Sequence, residues 1–289
     1  MPRMEDECKL ESLITLYLDP DPKIRDMVQD HLLEYGESAV PAIDQARSGT
    51  KVEEERDRLS SILYELTFPG LLEEFAHTVS AGVHETHQLE EAVCLLSRLD
   101  EPTFRTDWIR RKLDYLAEQV RPSLAEASHQ TQRMEIFFRH LFRDLHFQGD
   151  RTRYHDPENG LLHRVIDRRK GIPLSLSLVV LFLAQRLELP FHGVNMPIHF
   201  LLMFDARGRR LLIDPFDEGA IITLEQCHTF LRHNNVAPRP EFFEPCPNRE
   251  ILARHLRNLK NSYEMAGDEA RKGRVLQFMS VLLANRAEG

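Results

Sequence analysis

The feature that most constrains this chain is residues 174–184, where Ser175 and Ser177 are the sole interruptions to an apolar run. A helix with no polar face belongs inside a domain, so the rest of the chain must build a shell around it. Pro173 suits the first turn of that helix, where its missing N–H costs nothing and its φ is already helical. Ile172, preceding a proline, is pushed towards an extended conformation, so the helix is expected to begin abruptly. The run falls short of the ~20 apolar residues that a bilayer span needs.

Past the helix, His199 opens a strand-like run ending near Phe204, and residues 210–214 make a second. Between them Asp205-Ala206-Arg207-Gly208-Arg209 has the composition of a hairpin turn. A hairpin symmetric about the 206–207 bond sets His199 directly across from Asp214, with Cβ atoms about 5 Å apart. A carboxylate beside an imidazole fixes its tautomer and supports its cationic form, which is the base–orienter half of a catalytic triad. The nucleophile is missing.

A buried helix followed by a His strand and an Asp-Pro strand resembles the transglutaminase-like (papain-like) superfamily, in which a Cys opens the helix. The family helix reads Gly-x-Cys; here Gly171 and Pro190 bracket the helix at a matching spacing, which places the Cys position on Pro173. His199 matches the family His and Asp214 the family Asp. The motifs Tyr154-His155-Asp156-Pro157-Glu158-Asn159 and Ile213-Asp214-Pro215-Phe216 resemble more closely the bacterial SirB-type branch, over about residues 90–245. That branch usually shows Pro-Gly-His-Phe where this chain has Pro197-Ile198-His199-Phe200.

The resemblance therefore implies a degenerate triad. Proline has no thiol, hydroxyl or N–H, so it neither attacks a carbonyl nor donates to an oxyanion. At about 100° per residue, Ser175 lies about 200° round the helix from Pro173 and faces away. Ser177 shares the Pro173 face one turn deeper, where it is expected to pack or bond to a backbone carbonyl. His155 and Asp156 have no third ligand at suitable spacing, so no metal is expected. Asn159 is read as lining this region and as the cap of the following helix rather than as a catalytic amide.

The chain has 289 residues, enough for one large or two smaller domains. Its net charge of −9 argues against nucleic acid or an anionic membrane as main partner. The basic run Arg164, Arg168, Arg169 and Lys170 is read as offsetting a helix dipole or meeting an acidic partner. The N-terminus lacks the apolar region of a signal peptide, and the cysteines (Cys8, Cys94, Cys227, Cys246) form no CxxC pair. A reducing, cytoplasmic setting is expected. The glycines are dispersed and form no phosphate-cradling loop, so no cofactor is expected.

Three segments are expected in an α+β, mostly helical fold. Residues 1–69 resemble a HEAT-type helical segment, with Pro69-Gly70 as the boundary. Residues 70–245 form the transglutaminase-like domain with a small antiparallel sheet. Residues 246–289 form an amphipathic hairpin resembling a tetratricopeptide tail, reached through a stiff linker carrying Pro238, Pro240, Pro245 and Pro247. The functional expectation is a non-catalytic, cytoplasmic module that binds a protein or peptide. The alternative is an acyl-transfer enzyme or hydrolase in which His199 and Asp214 work with an unconventional nucleophile, water or Ser177.

Overall fold

The computed structural model describes residues 4–206 and 208–285. Among the described residues there are twelve α-helices and two small sheets, a mostly helical α+β architecture as expected. They divide into two compact units, one of residues 4–74 with 98–104, the other of 75–97 with 105–285.

The first unit holds helices α1 (Met4–Tyr17), α2 (Pro22–Glu34), α3 (Val40–Gly49) and the first part of α4 (Glu53–Ser80). Asp21 accepts from the Lys23 N–H and caps α2, with Pro22 at its first position. Leu32, Ile43, Leu59, Ile62 and Leu63 are fully buried and form its core. Tyr64 Oη reaches the carbonyls of Leu99 and Asp100 at 2.7 and 2.8 Å, which ties residues 98–104 to this unit. Pro69-Gly70 does not punctuate the chain: both lie inside α4. A mid-helix proline costs about 3 kcal/mol, but Leu66, Leu71, Phe75 and Val79 are buried along the same helix, and that burial outweighs it.

The second unit continues with α5 (Thr86–Leu95), α6 (Asp107–Ala125) and α7 (Gln130–Phe138). A two-residue strand β1 (Gln148–Gly149) follows, then α8 (Leu162–Arg168), β2 (Lys170–Gly171) and the apolar helix α9 (Pro173–Arg186). Strands β3 (Phe191–Val194), β4 (Leu201–Ala206), β5 (Arg209–Asp214) and β6 (Ala220–Ile222) form one antiparallel sheet in sequential order, and β1 pairs parallel with β2. Helices α10 (Leu224–His233), α11 (Asn248–Met265) and α12 (Glu269–Ala284) complete the unit.

Every residue of α9 from Pro173 to Ala184 is buried, as its composition requires. It packs against α5, α6, α8 and strands β3 and β4. Its C-terminal end is held by Arg186, whose guanidinium meets both Glu90 carboxylate oxygens at 2.6 and 2.8 Å and Asp114 at 2.6 Å. Glu90 is 7% exposed, so this fork also neutralises a carboxylate that would otherwise be buried alone. The proline-rich segment before α11 is not a free linker. It folds into a 3₁₀ turn (Pro240–Phe243) with Phe243 buried, and the Cys246 N–H donates to the Gly193 carbonyl. The open edge of β3 needed such a partner.

His255, on α11, is buried with neither ring nitrogen hydrogen-bonded. Burial pushes its pKa down from 6.5 to about 4. The unfolded chain therefore takes up this proton first: the histidine costs nothing above pH ~6.5, and stability falls as pH drops from about 6.5 to 4. The loss approaches roughly 3 kcal/mol. In acid denaturation series, His255→Leu is expected to flatten that part of the profile relative to the parent; parallel profiles would contradict the assignment.

Candidate functional site

The hairpin forms, but in a different register. Leu202 pairs with Ile213 and Ala206 with Arg209. Gly208 takes φ +92°, and its N–H donates to the Asp205 carboxylate at 3.0 Å. This tight two-residue turn shifts the pairing by two from the expected symmetry. It also places His199 just ahead of β4 rather than in it. The expected pair still forms: His199 Nε2 lies 2.8 Å from Asp214 Oδ2. Asp214 ends β5, and its second oxygen accepts from the Phe216 N–H at 2.9 Å, capping the 3₁₀ turn Pro215–Asp217. One carboxylate thus fixes both the imidazole and the turn beside it. Nδ1 of His199 has no hydrogen bond among the described residues.

Aromatic rings wall the pair. Phe216 and Phe230 stand edge-on to the His199 ring at 6.2 and 5.9 Å, and Tyr154 packs on Phe216 at 5.8 Å. Burial raises the Tyr154 pKa; the Arg254 charge opposes this and the Asp214 carboxylate adds to it. Arg151 lies over the Phe216 ring at 4.9 Å and meets Asp217 at 2.9 Å. Sequence reasoning named Tyr154 and Phe216 only as parts of motifs and did not place Phe230 here. The usable signal was the amphipathic pattern of α10, which turns Cys227 and Leu231 inward and brings Phe230 to the histidine.

The start of α9 is a second cluster. Pro173 holds the first helical position after an extended Ile172 (φ −91°, ψ 168°). Ser177 Oγ donates to the Pro173 carbonyl at 2.7 Å, the backbone bond expected of it. Ser175 Oγ accepts from the Ile172 N–H at 3.0 Å and donates to the Asn159 carbonyl at 2.6 Å. Both hydroxyls are fully buried and turned to backbone. Asn159 does not cap the following helix. It sits in the 3₁₀ turn Pro157–Asn159, α8 begins after Leu161, and its amide donates to the Arg153 carbonyl at 2.6 Å. Asp156 caps that turn instead, because it precedes a proline at the first position.

Gly149 and Gly171, paired across β1 and β2, connect the two clusters. A Cβ on Gly171 would lie 2.5 Å from Ser175 Oγ, and one on Gly149 would lie 2.6 Å from the Phe216 ring and 2.8 Å from its carbonyl. Hydrogen atoms in place of side chains let the α9 start and the Asp214–Phe216 turn pack close on either side of this small sheet.

Neither the buried cysteines Cys94 and Cys227 nor the half-buried Cys246 is activated. Cys94 is pushed up to about 12 by burial and then by Glu90, and Cys246 to about 11 by burial and then by Glu250. Cys227 is raised by burial and next by the Asp214 carboxylate. All run opposite to a nucleophilic thiolate. The basic run is largely spent internally: Arg168 meets Asp150 at 3.1 Å and Glu158 at 2.8 Å, and Arg169 donates to the Leu145 carbonyl. Among the described residues no group of three or more metal-ligating side chains is gathered. No helix among them is long and apolar enough to cross a membrane.

Ile198, where a glycine is usual in the branch the sequence resembles, adopts φ +71°. A β-branched residue in the left-handed region is strained, and at 52% exposure it gains little from burial. Ile198→Gly is expected to raise stability by about 1 kcal/mol, less what glycine adds to unfolded-chain entropy. Thermal melts would then shift up by about 2–4 °C; a downward shift would contradict the strained conformation.

Comparison with known proteins gives the family. A family model described as the transglutaminase-like superfamily matches residues 107–257, from α6 into α11. A UPF0162 protein of Xylella fastidiosa (strain 9a5c) is 30% identical over 210 residues, 71% of this chain and 75% of that one. Protein SirB1 of Salmonella typhimurium is 24% identical over 177 residues, 60% of this chain and 65% of that one. F-box only protein 21 of Homo sapiens is 39% identical over 95 residues, 30% of this chain and 15% of that protein. No solved structure matches significantly. With the motifs, the buried helix and the His199–Asp214 pair in place, the chain belongs to the transglutaminase-like superfamily, in its bacterial SirB-type branch.

Proposed function

We propose that this protein is a non-catalytic transglutaminase-like module that binds a segment of a partner protein at the His199–Asp214 cleft. The observation that carries the reading is the fate of every candidate nucleophile. Position 173 is a proline, Ser175 and Ser177 bond to backbone carbonyls, and the pKa values of Cys94, Cys227 and Cys246 are raised rather than lowered. A histidine with an orienting aspartate but nothing to deprotonate does no covalent acyl chemistry. It does retain an imidazole whose Nδ1 can give or take a hydrogen bond, between aromatic rings that favour apolar contact. Such a cleft suits an extended peptide with a bulky side chain beside a backbone amide. The similarity to a part of F-box only protein 21 supports a module that also serves inside a larger chain.

One observation favours a second reading. Nε2 is committed to Asp214 and Nδ1 has no hydrogen-bond partner among the described residues, which is the arrangement of a general base. In that reading the protein is a hydrolase or acyl-transfer enzyme in which His199 activates a water.

Labelling of the folded protein with a fluorophosphonate and with iodoacetamide, using His199→Ala as control, tests the lack of a protein nucleophile. We expect no label that disappears in the variant. A His199-dependent adduct would overturn the non-catalytic reading and identify the nucleophile by mass. The water-activating alternative is tested by incubation with a panel of p-nitrophenyl esters and peptide anilides. Turnover above buffer that is lost in His199→Ala would favour it; none is expected.

A further inference from the structure

The C-terminal hairpin carries a groove of roughly 570 Å³ between α11 and α12, and its lining includes none of the rings that surround His199. Its apolar lining comes from Leu256, Met279, Leu282 and Leu283, with Ala253 between them. Leu283 is 58% exposed, although a leucine on this unit's other helices is usually covered. The volume is that of a site for a few side chains rather than for a whole domain.

Charge around the hairpin is divided unevenly. Near its loop, Lys260 meets Glu264 at 3.0 Å, Lys272 meets Glu264 and Glu269 at 3.1 and 3.0 Å, and Arg271 meets Asp268 at 2.6 Å. At the groove no cation has a carboxylate partner among the described residues. Arg249 donates to the Leu282 carbonyl. Arg254 donates to Asn195 Oδ1 at 2.7 Å and to the Met196 carbonyl at 2.6 Å, both neutral. Arg257 lines the groove, is exposed, and has no carboxylate within ion-pairing distance among the described residues. Glu250, also on the lining, is 3.5 Å from the Asn195 amide and pairs with none of the three arginines. Burial and then the neighbouring Arg257 charge lower the Arg254 pKa.

A chain with 46 acidic and 37 basic residues has carboxylates to spare for these arginines. Leaving them unmatched around the apolar groove costs repulsion that an incoming anion would relieve. Arginine suits this role because its planar fork grips a carboxylate through two parallel hydrogen bonds. The concave aliphatic floor excludes a nucleic-acid reading, which calls for stacking rings and a track of phosphate contacts.

We infer that the α11–α12 groove is a docking site for an acidic segment of a partner protein, with a leucine-like side chain on the Leu256–Leu282–Leu283 floor and an Asp or Glu held by Arg257 and Arg249. Its lining shares no residue with the His199 site, and the proposal does not depend on that site's function.

The test uses the full chain, immobilised, and a phage-displayed library of random twelve-residue peptides. Enriched peptides are expected to carry an acidic residue next to a large aliphatic one. Their synthetic forms should bind about tenfold or more weakly to Arg257→Glu and to Leu283→Asp. Both positions are exposed, so these variants should fold, which circular dichroism checks. Binding should also weaken with added salt and survive His199→Ala. No enrichment over an unrelated control protein would overturn the proposal. So would peptides indifferent to both variants, or peptides lost in His199→Ala alone, which would assign the binding to the other cleft. Concentration-dependent self-association abolished by Leu283→Asp would assign the groove to a second copy of the chain and also overturn it.

Discussion

A helix without a polar face has one place to go, and the second unit is organised by putting α9 there. Its side chains need no arrangement beyond close packing, but its ends do, because buried backbone groups and charges must find partners. The N-terminal end combines a proline, which has no N–H to satisfy, with Ser175, which accepts from Ile172 and donates to Asn159. The C-terminal end is closed by Arg186 on Glu90 and Asp114. Three surrounding segments, 157–159, α5 and α6, are therefore fixed by the two ends of one helix.

The Ser175 and Ser177 hydroxyls at the start of α9 are both committed to backbone groups. Asp214 carries a similar double duty, since it orients His199 and caps the turn that carries Phe216. Gly149 and Gly171 let the two parts approach. The framework of the site thus survives through contacts the fold needs anyway.

The legible parts of the sequence were those set by a single strong local preference. The apolar run, the Pro173 start, the Ser177 bond to its own helix and the Gly267-Asp268 turn of the last hairpin all follow from residue chemistry within a few positions. The errors arose where long-range packing decided. Pro69 was read as a break, but burial on both sides carries α4 through it. Asn159 looked like a helix cap, yet Asp156-Pro157 takes that role one turn earlier and leaves Asn159 buried. The hairpin composition was right and the register was off by two, because a turn of two residues matches strand twist better than a symmetric longer loop. His199 meets Asp214 regardless, since a side chain spans a register error that backbone pairing cannot. The amphipathic pattern of α10 marks the face that turns inward, but it does not say which strand that face will cover, so the contact of Phe230 with His199 is set by long-range packing.

The central claim is that this site keeps the superfamily's geometry and lacks only its nucleophile. Replacing the proline tests this most directly: in Pro173→Cys, the pH dependence of alkylation by iodoacetamide reports the pKa of the introduced thiol. A thiol at a helix N-terminus facing a histidine should titrate well below the ordinary value of about 8.5, and the shift should diminish when His199→Ala is added. That result would show a preserved site missing one group. An introduced thiol that titrates at its ordinary value, or reacts alike with and without His199, would contradict the account, because position 173 would then not face the histidine.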